Sequence, residues 1–291
     1  MNSLIYGSGF GLYGYLPAIY EFSSKIYLNK KYKIFFNSRK ELAKFETKII
    51  WYTSVDKIIK KIDYLIIAKR PNDQSRIIKS LLNKKNKIKH FFLEKPISST
   101  PKKSSELLKM LYIKKINYSI GFLFEYTGWF KVIANTLIKK RKNDIFIKWN
   151  IKRTHKSSKS WKYNYKEGGG LIRYYGIHFI KLFSDFNFSI IKINVFKKNY
   201  WKLHIEDKKK NSIKLLIEFS KISNFSYRIN NKNLNKLHSP FFKKIDYKSI
   251  DPRCFFLRKY INKNLSNSKF SNMKEFSNLW RIIETNANNT R

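Results

Sequence analysis

The sequence predicts an α/β protein: a doubly wound parallel sheet over residues 1–119, then an α+β domain with a large, mostly antiparallel open sheet over 120–291. Three observations predict it. Short apolar runs alternate with helix-like segments through the first part of the chain. A glycine-rich turn, Gly7-Ser8-Gly9-Phe10-Gly11-Leu12-Tyr13-Gly14, stands between the first strand and the first helix. Beyond residue 120, strands with alternating polar and apolar residues take over, as in a sheet with one solvated face.

Taken in order, residues 3–6 form an apolar run that ends at Gly7, and 12–22 read as the helix after the turn. Residues 33–36 read as the second strand, 40–45 as a helix, 49–52 as a strand and 55–61 as a short helix. Residues 64–68 are nearly continuous apolar sequence, which a strand buried on both faces requires. A helix over 74–82, a strand over 90–93, a helix over 101–111 with proline in its first turn, and a strand over 118–122 complete the first part. In the second part 129–139 and 171–183 read as helices, and 145–152, 190–196, 200–206, 213–219 and 225–229 as strands. The last helix, 272–284, places Phe276, Leu279, Trp280 and Ile283 on one face.

Composition bounds the function classes. Hydrophobic residues make up 43% of 291, enough for a folded core and unlike a disordered chain. The 62 Lys and Arg against 19 Asp and Glu give a formal charge of +43, which by itself would point to a nucleic-acid or anionic partner. The cations are spread over nearly every segment, however, and Lys greatly outnumbers Arg. Lys, Asn, Ile, Phe and Tyr share AT-rich codons, so base composition accounts for the charge without a specific nucleic-acid partner. A single cysteine, Cys254, excludes an intramolecular disulfide framework and a multi-cysteine zinc site. The opening residues lack the features of a signal peptide, and no apolar stretch approaches the ~18 residues of a membrane span, so a cytoplasmic protein without a membrane partner is expected.

Four stations carry chemistry. The first is the glycine turn, where residues without Cβ permit a tight turn and close approach of a pyrophosphate to backbone N–H groups. Its register runs either from Gly7, with Leu12 in the third glycine's place, or from Gly9 through Gly11 and Gly14; the strand's end favours Gly7. The second is Phe35-Phe36-Asn37-Ser38-Arg39 at the expected end of strand two. No acid stands there to hold a ribose 2′-hydroxyl, and Arg39 suits a 2′-phosphate, although it is equally one more surface cation. The third is Glu94-Lys95-Pro96, which directly follows a strand and so puts Lys95 at the carboxyl edge where such sheets bind ligands. The fourth is Gly168-Gly169-Gly170 leading into a helix that bears Tyr174 and His178 four residues apart.

In this order and at these distances the four stations, with Leu16-Pro17-Ala18 and with Ile66-Ile67-Ala68 shortly before Pro71, resemble the glucose–fructose oxidoreductase/inositol dehydrogenase family, Gfo/Idh/MocA. The resemblance covers essentially the whole chain. It implies a Rossmann domain followed by a domain with a large open sheet. It also implies NAD(P)-dependent hydride transfer to or from a hydroxyl or ketone of a sugar, inositol or nucleotide sugar, for example in making surface polysaccharide. The cofactor would then be held by Gly7, Ser8, Gly9, Phe10, Gly11, Pro71, Glu94 and Lys95, and Ser38-Arg39 resembles the members that use NADP, with NAD the alternative. Lys95 matches the lysine near the nicotinamide and the reacting oxygen, and His178 the acid/base histidine. Tyr174 stands where the family usually has aspartate, and Glu125 where it usually has arginine. Tyr174 is read as an orienting hydroxyl, and Trp161, beside Lys162, as a platform for a sugar face. Pairing through the open sheet, as a homodimer or tetramer, is expected by resemblance. The two departures motivate a second reading, a catalytically silent dinucleotide-binding sensor of the same fold.

Overall fold

The computed structural model describes residues 1–84, 86–139, 142–153, 160–242, 250–266 and 273–288. The chain forms two compact units. One comprises Met1–Ser98, Glu106–Leu123 and Asp246–Ser271; the other Ser99–Ser105, Phe124–Ile245 and Asn272–Arg291.

The first unit is built on six parallel strands, β1 (Asn2–Tyr6), β2 (Lys25–Asn29), β3 (Ile49–Tyr52), β4 (Tyr64–Ile67), β5 (His90–Leu93) and β6 (Tyr118–Ile120), in the spatial order β3-β2-β1-β4-β5-β6. The order reverses between β1 and β4, and such a switch point leaves a crevice at the carboxyl ends of the strands. Leu4, Ile5, Leu65, Ile66, Phe91 and Phe92 are wholly buried, so the central strands read as the continuous apolar runs that a two-sided sheet demands. After β1 the chain passes through a π-helical turn (Gly11–Tyr15), α1 (Leu16–Ile19) and a 3-10 turn (Tyr20–Phe22). The other helices are α2 (Lys33–Asn37), α3 (Pro71–Leu82), α4 (Pro101–Ile113), which belongs to this unit from Glu106 onward, and, far along the chain, α7 (Cys254–Ser266), which packs on α1. On α3 the buried Pro71, Gln74, Ile78, Leu81 and Leu82 recur at helical spacing.

The second strand lies elsewhere than expected. Residues 33–36 belong to α2, and the slot beside β1 is filled by Ile26, Tyr27 and Leu28, which pair with Ser3, Leu4 and Ile5. The two runs have similar texture, three apolar residues between a lysine and an asparagine. Only Phe36 of the later run is buried, edge-on against Trp51, while Ile34 and Phe35 face solvent. The short helix expected over 55–61 shrinks to a single turn at Ile59–Lys61.

The second unit carries a mixed six-stranded sheet, β7 (Asp144–Lys152), β8 (Ile190–Lys197), β9 (Tyr200–Glu206), β10 (Ser212–Ser220), β11 (Asn224–Ile229) and β12 (Lys232–Leu237), ordered β12-β11-β7-β10-β9-β8. All pairings are antiparallel except β7 with β10. Alternation does the sorting: Ile145, Ile147, Trp149 and Ile151 point inward from β7, and Asp144, Phe146, Lys148 and Asn150 lie on the opposite face. The inner face is covered by helices that include α6 (Ile177–Asp185) and α8 (Lys274–Asn288), which pack on one another; α5 (Gly128–Ile138) also belongs to this unit. Phe276, Leu279, Trp280 and Ile283 form the buried stripe of α8, as their spacing predicts.

Candidate active site

The turn after β1 separates two kinds of glycine. Gly7 has φ +140°, and a Cβ there would lie 2.4 Å from the Ala68 carbonyl oxygen, so the β1–β4 approach itself requires glycine. Gly9 is exposed and a Cβ on it would meet nothing within 4 Å, while its carbonyl accepts from the N–H groups of Leu12 (2.9 Å) and Tyr13 (3.1 Å). Gly9 therefore presents open backbone between Ser8 and Phe10 at the mouth of the crevice. Gly11 is tight against Ile5, 3.2 Å from its Cγ2. Gly14 has another purpose: a Cβ would strike the Phe10 ring at 2.4 Å, so the residue seats that ring, while Leu12 is wholly buried. A bare, reachable backbone at the switch point fits the phosphates of a dinucleotide.

Around the turn stand residues from distant segments. Arg253 lies 4.1 Å over the Phe10 ring and is oriented by a two-pronged contact with Asp251 (3.0 and 2.7 Å); the Asp251 N–H donates to the Tyr13 carbonyl at 3.1 Å. Arg39 lies 3.5 Å over the Tyr13 ring. The expected station at the end of strand two is thus corrected. Ser38 and Arg39 follow α2, Ser38 is exposed and donates to the Phe35 carbonyl (2.9 Å), and Arg39 reaches the turn's helix from outside the β2 end. Asn29 is the residue that ends β2, and its Oδ1 accepts from the Lys31 N–H at 3.0 Å.

The Glu94-Lys95-Pro96 station sits at the carboxyl end of β5, where the sequence places it. Glu94 accepts from the Tyr15 hydroxyl at 2.7 Å, and burial of its carboxyl raises its pKa above the ordinary carboxylate value. Gln74, with no exposed surface, brackets Lys95. Its Oε1 accepts from the Glu94 N–H (3.0 Å), and its Nε2 donates to the carbonyls of Glu94 (2.7 Å) and Ile97 (3.2 Å). A buried amide satisfied on both sides fixes the backbone from which Lys95 projects. Pro71, buried at the start of α3, sets that helix's entry.

In the second unit the triple glycine is explained atom by atom. Gly168 and Gly170 have φ of +87° and +86°, and a Cβ on Gly169 would lie 2.1 Å from the Trp161 carbonyl oxygen. Gly176 is pressed on the Trp201 ring, where a Cβ would sit at 2.3 Å. The helix entered here runs as a π-helical stretch, Leu171–Gly176, before α6. Tyr174 packs edge-on against Trp161 (5.2 Å), with the Lys162 ammonium 5.5 Å from its ring centre, so the structure brings Trp161 and Tyr174 together. His178 is buried and stacks on Phe124 with centroids 4.1 Å apart. Glu125 lies 3.9 Å from Lys181. Lys95 belongs to the first unit and Trp161, Tyr174 and His178 to the second.

Sequence reasoning missed Gln74, Tyr15 and Arg253, and also Arg173. The Arg173 guanidinium is buried, bonded to both carboxylate oxygens of Glu284 (2.8 and 2.7 Å) and to the Ser99 and Tyr165 carbonyls (both 2.8 Å). The spacing of 111 residues between Arg173 and Glu284 leaves no local signal.

Comparison with known proteins agrees with this geometry. Residues 1–122 match the model of the Gfo/Idh/MocA oxidoreductase family, NAD-binding Rossmann fold. No curated protein matches the chain in sequence. Among solved structures, the WlbA dehydrogenase of Thermus thermophilus in complex with NAD and UDP-GlcNAcA superposes with a TM-score of 0.70 at 14% identity, covering 98% of this chain and 94% of that one. A myo-inositol dehydrogenase from Corynebacterium glutamicum gives 0.70 at 13% identity, covering 100% and 96%. A super-repressor mutant of Gal80p from Saccharomyces cerevisiae gives 0.70 at 13%, covering 99% and 94%. These likenesses establish the fold along the whole chain. Over residues 1–122 the chain is thus similar to the NAD-binding Rossmann domain of the Gfo/Idh/MocA oxidoreductase family.

Proposed function

We propose that the protein is an NADP(H)- or NAD(H)-dependent oxidoreductase that interconverts a hydroxyl and a ketone on a sugar or nucleotide sugar. The carrying observation is the open Gly9 backbone at the β1/β4 switch point of a family Rossmann sheet. Dehydrogenases of this fold, among them the WlbA enzyme with its bound UDP-GlcNAcA, support the substrate class. The turn from Gly7 to Gly11, with Pro71 and Glu94, would hold the cofactor; when bound it supplies a nicotinamide that accepts or gives a hydride.

The chain's own residues then handle the oxygen and its proton. Lys95, on a backbone clamped by Gln74, would stabilise the developing alkoxide with its ammonium. His178 would take or relay the hydroxyl proton, since a neutral imidazole carries one nitrogen that accepts and one that donates. Tyr174 would orient the substrate hydroxyl in place of a carboxylate, and Trp161, packed against it, would offer a ring to the sugar face. The test is hydride transfer by Lys95→Ala and His178→Ala in an assay with nucleotide sugars: each should lose at least ~100-fold in kcat/KM. Unchanged turnover in both sinks the assignment.

One observation favours a second reading. Tyr174 and Glu125 replace the acid and the arginine of the resembling family, and a Gal80p repressor shares the fold. A sensor would bind the dinucleotide and show no turnover on a panel of nucleotide sugars and free polyols. Pairing of copies through the open face of the mixed sheet is part of the proposal, on the family resemblance alone.

A further inference from the structure

We infer that Lys69, held over the Tyr32 ring at the carboxyl end of β4, binds the 2′-phosphate of the cofactor and so makes the protein select NADP(H) over NAD(H). The inference deepens the dinucleotide-binding reading above and rests on it.

β4 ends at Ile67, and the Ala68 carbonyl is the group against which Gly7 is packed. Lys69, the next residue, therefore leaves the sheet at the switch point itself, beside the glycine turn. Its ammonium lies 5.1 Å from the centre of the Tyr32 ring. Tyr32 is only 3% exposed, stands three residues beyond the end of β2, and has its hydroxyl beside the Gly7 amide. Lys31 lies 5.7 Å from the centre of the same ring but is exposed, so Lys69 is the partly buried cation between the end of β2 and the phosphate-binding turn, the place where a doubly wound sheet meets the adenosine ribose.

The chemistry of the place favours a phosphate over a free 2′-hydroxyl. A ribose hydroxyl is ordinarily held by a carboxylate at the end of β2, and here the segment reads Asn29-Lys30-Lys31-Tyr32, with the Asn29 Oδ1 used on the Lys31 N–H. Lys69 is half-buried and makes no ion pair among the described residues. Asp73 acts on it only at a distance, and burial pulls its pKa down. A cation taken partly out of water with only an aromatic face for a partner is incompletely compensated. A phosphate dianion supplies the missing charge in a charge-assisted hydrogen bond. Of the other cations near the turn, Lys31 is exposed, and Arg39 lies over Tyr13, on the helix that follows the turn.

The experiment is calorimetric titration of the full chain with NADPH, NADH, 2′,5′-ADP and 5′-AMP, for wild type, Lys69→Met, Lys69→Arg and Arg39→Met. Wild type should bind NADPH and 2′,5′-ADP at least about tenfold tighter than NADH and 5′-AMP. Lys69→Met should abolish most of that margin while NADH affinity stays within about twofold, and Lys69→Arg should retain it. Lys69→Gln repeats the test if the methionine variant does not fold. The inference is overturned if wild type does not discriminate, if Arg39→Met rather than Lys69→Met removes the margin, or if NADPH and NADH weaken together. Wild type that discriminates between neither pair yet binds both leaves the oxidoreductase reading intact; wild type that binds no dinucleotide overturns that reading too.

Discussion

Gly7 and Gly9 lie two residues apart in one turn, yet alanine at each should fail in a different way. At Gly7 the backbone φ of +140° costs a side-chain-bearing residue about 1–3 kcal/mol. The new methyl would also stand 2.4 Å from the Ala68 carbonyl oxygen. That carbonyl cannot retreat freely, because the Ala68 N–H is bonded to the Tyr6 carbonyl at 2.8 Å, and such overpacking costs about 1–3 kcal/mol more. Gly7→Ala should therefore lose about 2–6 kcal/mol of unfolding free energy. Gly9→Ala meets nothing within 4 Å and should stay near wild-type stability. Its methyl, however, occupies the space through which a pyrophosphate would reach the N–H groups of the turn. Hydrogen bonds to a charged group contribute about 1.5–3 kcal/mol each, so losing one weakens dinucleotide binding about 10- to 100-fold. Urea unfolding and NADPH titration of the two variants measure both quantities. Gly7→Ala as stable as wild type, or Gly9→Ala with wild-type NADPH affinity, would contradict these two roles.

Three further outcomes are expected. Arg173→Met leaves Glu284 buried without its cation and should destabilise the protein by about 3–5 kcal/mol, while Arg173→Met with Glu284→Leu should lose much less, as urea midpoints would show. Gln74→Leu removes the clamp on both sides of Lys95, and kcat for hydride transfer should fall at least about tenfold with the dinucleotide Kd nearly unchanged; a parallel loss in both would mean general disruption of the fold. His90, buried and bonded to Ser119 at 2.9 Å, has its pKa pushed down from 6.5 to about 4 by burial. The unfolded chain therefore takes up this proton first as the pH falls. Stability should drop between pH 6.5 and 4 by up to about 3 kcal/mol, a slope that His90→Gln flattens in urea titrations at stepped pH.

The glycine turn, the strand before Lys95 and the triple glycine were legible in the sequence because each has a local cause. A missing Cβ or an unbroken apolar run is visible within a few residues. The second strand was not legible, since Ile26-Tyr27-Leu28 and Ile34-Phe35-Phe36 are alike as strings and only pairing with β1 separates them. The helix over Cys254–Ser266 did carry a signal, with buried Leu257, Tyr260 and Ile261 at helical spacing, but its polar and aromatic remainder masks it. Tyr15 meeting Glu94, Gln74 bracketing Lys95, Arg253 over Phe10 and Arg173 paired with Glu284 all join residues far apart in the chain. Such contacts depend on the assembled fold and leave no trace in composition or period.

The most direct test of hydride transfer uses NADPH or NADH deuterated at C4 of the nicotinamide, incubated with the protein and a panel of keto sugars and keto nucleotide sugars, with the product analysed by mass spectrometry and NMR. Deuterium on the carbinol carbon of the sugar, at a rate lost in Lys95→Ala, is the expected result. Tight dinucleotide binding with no deuterium transferred to any member of a broad sugar and polyol panel would contradict the enzyme and leave the sensor.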